Sequence, residues 1–342
     1  TVIVNDITLA SLDVAAAVGD TSGSSVSGVG SFRFNLESGL PVDVSGAFRA
    51  ERSSYRELEI STMSFEASSA SRILTGTAMA EFNGSNVRSV ARARQGTNGY
   101  TLQDVTTEFQ DLDLTHFVDD VDSMSLFGIL NIDSRDSRLG YTDWALRLDS
   151  SSVNTESIST LDARGEYNTD SSTFEASMSS SSGNIAARGS VWLDGFAPSR
   201  VNVTTAEFQA LNPFAITGNA TGPMSLFGNA SGQLSLADIE SNAEINIELT
   251  SSVVNGVAVD NAKLESDIKN GTGPVSGSAS FGAGSFSVNG DIDLSTDVPS
   301  FSLEVSMVDV PVGELVFADT LDSSVTANIA VDGSGTSLAN AD

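Results

Sequence analysis

The chain has 342 residues and a formal net charge of −29, with one histidine and no cysteine. The charge argues against a nucleic-acid partner, because a phosphate backbone needs a basic surface. The lack of cysteine excludes disulfides, thiolate nucleophiles and cysteine-based metal sites. No run of about 18 apolar residues occurs, so the sequence predicts no membrane-spanning helix.

Alternation of apolar and polar residues begins early in the chain and predicts strands that are wet on one face. In the first half it is visible at Phe32 and Phe34, and again at Leu146 and Leu148. Asn83-Gly84 is one of several Asn-Gly pairs, which supply the positive φ angles of two-residue hairpin turns. The first half therefore predicts antiparallel hairpins.

Helical signals are few. The best candidate runs from Phe109 to Asp122, where acidic residues come early and apolar residues recur at helical spacing. Its counterpart near Phe208–Phe214 contains Pro213, which disfavours a long helix. A short helix or an irregular loop is expected at this point of each repeat.

The second half has the clearest alternation, in four predicted strands. Its apolar positions are Ile245, Ile247 and Leu249; Phe286, Val288, Ile292 and Leu294; Phe301, Leu303 and Val305; and Val325 and Ile329. Turn signals such as Asn270-Gly271 and Asp332-Gly333 separate strands. Asn289-Gly290 lies inside a predicted strand, where a β-bulge is expected.

The chain copies itself with a period of about 100 residues, which indicates an architecture that grows along one axis. We expect one continuous array over residues 1–342, with each unit holding six to eight strands. Since the chain starts at Thr1 and stops in a Gly/Ser/Asn stretch, we also expect it to be a piece of a longer protein. Three segments carry the repeat: 105–110 returns at 203–209, 124–128 at 224–228, and 148–154 at 249–255. The expected units are roughly 5–104, 105–203, 204–304 and a partial 305–342.

Three charged clusters are candidate sites, and each has a simpler interpretation. The acids around the only histidine lack the calcium-loop pattern. The next repeat has lost both the acids and the histidine. Both observations favour a solvated loop over a metal site. The paired aspartates of the second half lie among Ser and Asn on the outer face of a strand, and the arginine cluster has acids nearby to pair with. The clusters are Asp111, Asp113, Asp119, Asp120 and Asp122 around His116; Asp291 and Asp293; and Arg88, Arg92 and Arg94.

No motif of nucleophilic, phosphate-binding or dinucleotide-binding chemistry occurs in the chain. With one histidine and no cysteine, most nucleophilic triads are excluded. The sequence therefore predicts no enzyme, and it predicts no catalytic residue, cofactor or metal ligand.

The later repeats resemble a known family. The runs at 226–236, 282–295, 301–315 and 321–338 are similar to the AsmA-like and TamB group of bacterial envelope proteins, in which a Gly-x-Leu-x-Leu type strand, a turn and an apolar strand recur. The resemblance is best over residues 200–342 and fades toward the N-terminus. It implies an all-β, elongated antiparallel sheet built from repeats and curled into a groove, with few or no long helices.

The resemblance also implies a function and a place. Such a groove would bind and conduct or shield phospholipid acyl chains between the membranes, as part of outer-membrane biogenesis. We expect a periplasmic or cell-envelope location, a membrane tether outside this fragment, and outer-membrane assembly proteins as further partners. The twelve apolar positions of the second half are the candidate groove lining.

Sequence leaves a different architecture open for the same apolar faces. If two sheets close on each other, these faces form the core of a sandwich. The chain would then be an extracellular adhesin or surface-fibre segment of stacked β-sandwich repeats, with calcium among the acids and no lipid. A carbohydrate-active or hydrolytic β-domain is a further alternative, which the lack of catalytic groups disfavours.

Overall fold

The computed structural model describes most of the chain, and every element of regular structure in the described part is a strand. No helix in that part is long and apolar enough to cross a membrane. The described residues are 2–13, 24–37, 40–55, 58–96, 99–115, 121–135, 141–154, 156–194, 197–213, 224–235, 242–254, 256–296, 298–310 and 324–334.

The chain divides into two compact units, Thr1–Thr169 and Asp170–Asp342. Unit 1 is an antiparallel meander in which each strand pairs with the next one along the chain. Its strands are β1 (Val2–Leu12), β2 (Ser24–Glu37), β3 (Leu40–Tyr55), β4 (Leu58–Ala70), β5 (Ile73–Phe82), β6 (Ser85–Gly96), β7 (Gly99–Leu112), β8 (Met124–Ser134), β9 (Tyr141–Val153) and β10 (Glu156–Asn168).

Unit 2 has the same organisation, with consecutive strands paired antiparallel throughout. The expected all-β class of repeated antiparallel hairpins is thus confirmed. The strands of unit 2 are β11 (Ser171–Ser180), β12 (Gly183–Asp194), β13 (Ala197–Leu211), β14 (Leu226–Ser235), β15 (Asn242–Val254), β16 (Val257–Lys269), β17 (Thr272–Phe281), β18 (Gly284–Asp293), β19 (Ser300–Val310) and β20 (Val325–Ser334).

The sequence repeat corresponds to six strands. Strands β9, β10, β15 and β16 each have 13 residues, and β5, β11 and β17 each have 10. We call β1–β6 copy 1, β7–β12 copy 2, β13–β18 copy 3 and β19–β20 copy 4. The boundary between the two compact units falls between β10 and β11, so it lies inside copy 2 and does not coincide with the end of a copy.

A β-bulge marks the first strand of every copy. Each of β1, β7, β13 and β19 carries one extra residue near its end against the following strand. The four bulge residues, with positive φ angles of 49° to 54°, are Ser11, Asp111, Ala210 and Asp309. A bulge leaves backbone groups unpaired, and hydroxyls compensate here: the amide of Ser11 donates to Ser27 Oγ at 2.9 Å, and that of Asp309 to Thr326 Oγ1 at 3.0 Å.

A second bulge lies in the third strand of copies 1, 2 and 3. Strand β9 has one extra residue against β8, and β15 has one extra residue against the start of β14. In copies 2 and 3, the residue after each positive-φ position, Ser151 or Ser252, is only 1% exposed. Its Oγ accepts a hydrogen bond from the amide of Phe127 or Phe227, each at 3.0 Å. Buried serines therefore hold these bulges together.

The fully buried apolar core is small in both units. Pairing places Phe109, Gly128 and Leu148 side by side on β7, β8 and β9, and the Phe and Leu side chains are 7% and 6% exposed. The buried apolar residues are Val26, Ala50, Phe109, Leu148 and Ile158 in unit 1, and Ala206, Phe208, Ala243, Val257, Val259, Ile268 and Val310 in unit 2.

Three local predictions are wrong. The helix expected from Phe109 does not form there, because β7 continues to Leu112 and its backbone pairs with β8. The remainder of that candidate lies partly outside the described residues. No bulge occurs at Asn289-Gly290, since both residues pair in register with β17 and β19. Asp332 and Gly333 pair with β19 inside β20 and form no turn.

Candidate functional site

The predicted lining residues lie on four strands of unit 2, and the pairing brings them together. Ile247, Leu264, Gly277, Val288, Val305 and Ile329 are successive cross-strand partners from β15 to β20. Directly opposed residues share a face of the sheet, and residues two apart on one strand share it as well. This row therefore marks one face of unit 2, which we call the apolar face.

Parallel rows extend the apolar face on both sides. Ile245 lies in a row that ends at Leu303 and Val331, and Leu249 lies in one that includes Phe286 and Ala327. Ile292 pairs directly with Phe301. Val325 pairs with Val310 two residues before Ala327, so it belongs to the same face.

Leu294 is the exception among the predicted lining residues. It follows the last residue of β18, and its amide donates to the carbonyl of Gly271 at 2.6 Å. Its side chain is half-buried. It stands at the end of the apolar face and not within a strand.

The apolar face is partly open to solvent. Ile245 is 36% exposed and Ile329 is 43% exposed, while most of the other lining residues are half-buried. The inner face of a closed sandwich would be packed against a second sheet about 10 Å away. Such packing would bury the large side chains near the middle of the face. In the described residues of unit 2 the face is therefore partly open to solvent.

In unit 1, the face that carries Arg49, Arg88 and Glu108, which we call its polar face, holds a cavity of about 1020 Å³. Its lining comes from β1 to β7, so the polar face is concave over these strands. Two exposed apolar side chains lie in it, Val29 and Met79. The central row consists of successive cross-strand partners from β2 to β7: Val29, Arg49, Ser64, Met79, Arg88 and Glu108.

Smaller depressions on unit 2 also lie on its polar face. One of about 570 Å³ includes Glu207, Asn229 and Thr250, and one of about 240 Å³ includes Asn246 and Glu265. These residues alternate along their strands with those of the apolar face. The apolar face is thus a surface crossed by rows of side chains, whereas the polar face carries the depressions.

Exposed ion pairs cover much of the polar faces. Arg135 Nη2 lies 2.6 Å from Asp143 and 2.7 Å from Glu166, and hydrogen bonding to these carboxylates raises its pKa. The pKa of Lys263 is likewise raised, chiefly by its hydrogen bond to Glu265 at 2.8 Å. Exposed pairs of this kind contribute little to stability. They keep this face hydrated.

The arginine cluster is paired as expected at two of its members. Arg92 Nε lies 2.8 Å from Asp104 Oδ1, and Arg88 Nη1 lies 3.5 Å from Glu108 Oε2. Arg94 lines a separate shallow depression of about 310 Å³. The cluster is therefore spread along β6 and does not form one anion site.

The acidic cluster is only partly described, because His116, Asp119 and Asp120 lie outside the described residues. Asp111 is a bulge residue that accepts from Ser125 Oγ at 2.5 Å, and Asp113 accepts from the amide and hydroxyl of Thr115. Within the described ranges, no group of three or more His, Asp or Glu side chains is arranged to hold a metal ion.

The two aspartates of β18 lie on the polar face. Asp291 pairs with Ser302 and is exposed. Asp293 accepts hydrogen bonds from Ser295 Oγ at 2.5 Å and from its amide at 2.9 Å, and these bonds lower the pKa of Asp293. A carboxylate stabilised in its charged form is a poor proton donor. Asp291 and Asp293 are therefore interpreted as hydrated surface carboxylates and not as an acid–base pair.

Sequence reasoning missed the cavity of unit 1. A signal was present, since Val29 and Met79 break the alternation by placing apolar side chains on a polar face.

Comparison with models of protein families, with curated proteins and with solved structures finds no match.

Proposed function

We propose that the apolar face of this protein binds phospholipid acyl chains, and that the protein conducts or shields them between the membranes of a cell envelope. The observation that carries the proposal is the set of largely apolar rows that cross β15 to β20, interrupted at Ser266, and remain partly open to solvent. Large exposed apolar patches mark sites of interaction with proteins, membranes or ligands.

The dimensions of a row suit a lipid tail. From Ile247 to Ile329 the row crosses five strand-to-strand steps, which is about 24 Å at the usual spacing of ~4.8 Å. One leaflet contributes about half of a hydrocarbon core that is ~30 Å thick, so an extended tail is roughly 15 Å long. A tail can therefore lie along one row, over apolar side chains and the backbone of Gly277.

The energetics favour weak and mobile binding. Full burial of one methylene contributes about 0.8 kcal/mol, so half-covering ten of them contributes on the order of 4 kcal/mol. That free energy corresponds to a dissociation constant of about 1 mM before the cost of ordering the chain is subtracted. An open face of this kind holds a tail loosely enough to pass it on, as a conduit requires.

The resemblance of residues 226–236 and 282–295 to AsmA-like and TamB proteins supports the same function. On this proposal the protein works in the periplasm or cell envelope, tethered by a segment outside this sequence. Outer-membrane assembly proteins would be its partners. No catalytic step is proposed, because lipid transfer along an apolar face needs none.

Site-specific photo-crosslinking tests the proposal with a built-in control. A photo-reactive phenylalanine analogue is placed at Ile247, Val288 or Val305 on the apolar face, or at the adjacent Glu248, Asn289 or Glu304 on the polar face. The protein is expressed in a bacterial envelope, irradiated and analysed by mass spectrometry. We expect phospholipid adducts at the first three positions and few at the other three.

Equal adducts on both faces, or none on either, would contradict the proposal. Native mass spectrometry with lipid extraction provides a second measurement on the unmodified protein. Lipid-free protein that ignores a fluorescent fatty-acid probe and gains thermal stability with calcium would favour the adhesin alternative.

A further inference from the structure

The cavity on the polar face of unit 1 is independent of the apolar face and has a different chemistry. It occupies about 1020 Å³, at the upper end of the usual size for small-molecule sites. We call it the unit 1 trough. The side chains that give it its character are Val29, Arg49, Glu66, Met79, Glu81 and Arg88.

Three of the side chains that line the trough, at Met79, Glu81 and Arg88, are specific to copy 1, although its strands recur in the other copies. Because β5, β11 and β17 have equal lengths, Met79 corresponds to Ser177 and Ser278. By the same alignment Glu81 corresponds to Ser179 and Ser280. Aligning the starts of β6, β12 and β18 places Ala186 and Ser287 opposite Arg88.

The sheet itself therefore does not require these side chains. At the positions of Met79, Glu81 and Arg88, copies 2 and 3 have only Ser and Ala, which suffice for a hydrated face of the same strands. Copy 1 has instead a flexible apolar side chain, a carboxylate and a guanidinium together. Chemistry added to one copy of a repeat indicates a function located there, since sites are grafted on folds.

The lining presents hydrogen-bond donors and acceptors side by side. Arg88 is held by Glu108 at 3.5 Å, with about half of each side chain exposed. A guanidinium has five N–H donors, so one such pair leaves others available for a ligand. Carboxylates at Glu66 and Glu81 and hydroxyls at Thr62 and Ser64 supply acceptors nearby. Val29, 58% exposed, and Met79, 47% exposed, add two apolar side chains to the lining.

These features select among ligand classes. An anion is disfavoured because Glu66, Glu81 and Glu108 line the same surface as the two arginines. A peptide that docks as an added strand needs a free sheet edge, whereas β2 to β6 are each paired on both sides. A chain of sugar rings offers hydroxyls that both donate and accept, and C–H faces that can cover Val29 and Met79.

We propose that the unit 1 trough binds an uncharged oligosaccharide chain. Its hydroxyls bond to the arginines and carboxylates, and its ring faces lie on Val29 and Met79. This is a binding site with no bond made or broken. It goes beyond acyl-chain binding and stands or falls separately from it, because it lies in unit 1 and on the polar face.

The test uses maltohexaose, cellohexaose, mannohexaose and chitohexaose as probes, with saturation-transfer NMR and titration calorimetry on the whole chain. The variants are Met79→Ser and Arg88→Ala. Met79→Ser introduces the residue that copies 2 and 3 carry at this position, and Arg88→Ala introduces the residue that copy 2 carries. The control is Arg188→Ala, which removes an exposed polar-face arginine that bonds to Thr205 outside the trough. Thermal melts confirm that each variant is folded.

We expect at least one hexasaccharide to bind, with affinity falling tenfold or more in M79S and R88A and unchanged in R188A. Absence of binding by all four probes would overturn the proposal. So would binding that M79S and R88A leave unaltered, or tighter binding of inorganic phosphate or of an extended peptide than of any of the sugars.

Discussion

Removing the hydroxyl of Ser252 should destabilise the third strand of copy 3 locally and measurably. Ser252 is 1% exposed, and its Oγ accepts from the Phe227 amide at 3.0 Å. Alanine at this position leaves that amide without its acceptor at a bulge where no ladder bond replaces it. An unsatisfied buried donor costs about 1–3 kcal/mol. Ser151 and Phe127 form the equivalent contact in copy 2, so Ser151→Ala should cost the same.

Hydrogen exchange followed by mass spectrometry is the assay, since it reports each segment separately. A loss of 1–3 kcal/mol corresponds to about 5- to 150-fold faster exchange. Ser252→Ala should accelerate exchange around Phe227 and leave Phe127 protected, and Ser151→Ala should do the reverse. The control is Ser302→Ala on the exposed polar face, which should change stability by less than ~0.5 kcal/mol.

Additivity provides a further check. The two serines belong to different compact units, so the double variant should equal the sum of the single effects within about 0.5 kcal/mol. The reasoning is refuted if Ser252→Ala costs no more than Ser302→Ala. It is also refuted if faster exchange spreads evenly over both bulges.

Two further predictions concern single turns. Gly84 and Gly271 both have φ near +80°, but a Cβ added at Gly84 meets open space, whereas one added at Gly271 lies 2.7 Å from Ser295 Cβ. Gly84→Ala should therefore lower the free energy of unfolding only by the left-handed strain of ~1–2 kcal/mol. Gly271→Ala should lower it clearly more, and urea unfolding of both variants measures the difference. Because hydrogen bonds lower the pKa of Asp293 below its ordinary 3.8, its contribution to stability is present above that value and is lost as pH falls through the lowered pKa. NMR titration should place this pKa below 3.8, and Ser295→Ala should move it back upward; an unchanged pKa in that variant would contradict the assignment.

Sequence alone was sufficient for the elements governed by local pattern. Alternation on β15, β18 and β19 predicted the strands and the residues that share a face, because side chains on a strand alternate with period two whatever the tertiary context. The turn at Asn270-Gly271 was predictable for a similar reason, since positive φ angles suit those residues.

Tertiary pairing decided the points that local pattern left open. Phe109 and Leu112 have the spacing of apolar residues on one face of a helix. The backbone of this segment nevertheless pairs with β8 and forms the end of β7. The bulges fall at Asp111 and Asp309, and not at Asn289-Gly290, because a bulge depends on the register between two strands.

The concavity of unit 1 is likewise a product of the whole meander. A sequence states which residues alternate, but the direction in which a sheet curves depends on the sum of twist and bulges over many strands. Val29 and Met79 lie far apart in the chain and share a cavity only because three strand pairings bring them there. Sequence determined which side chains face together, and the accumulated pairing determined which of those faces encloses a space.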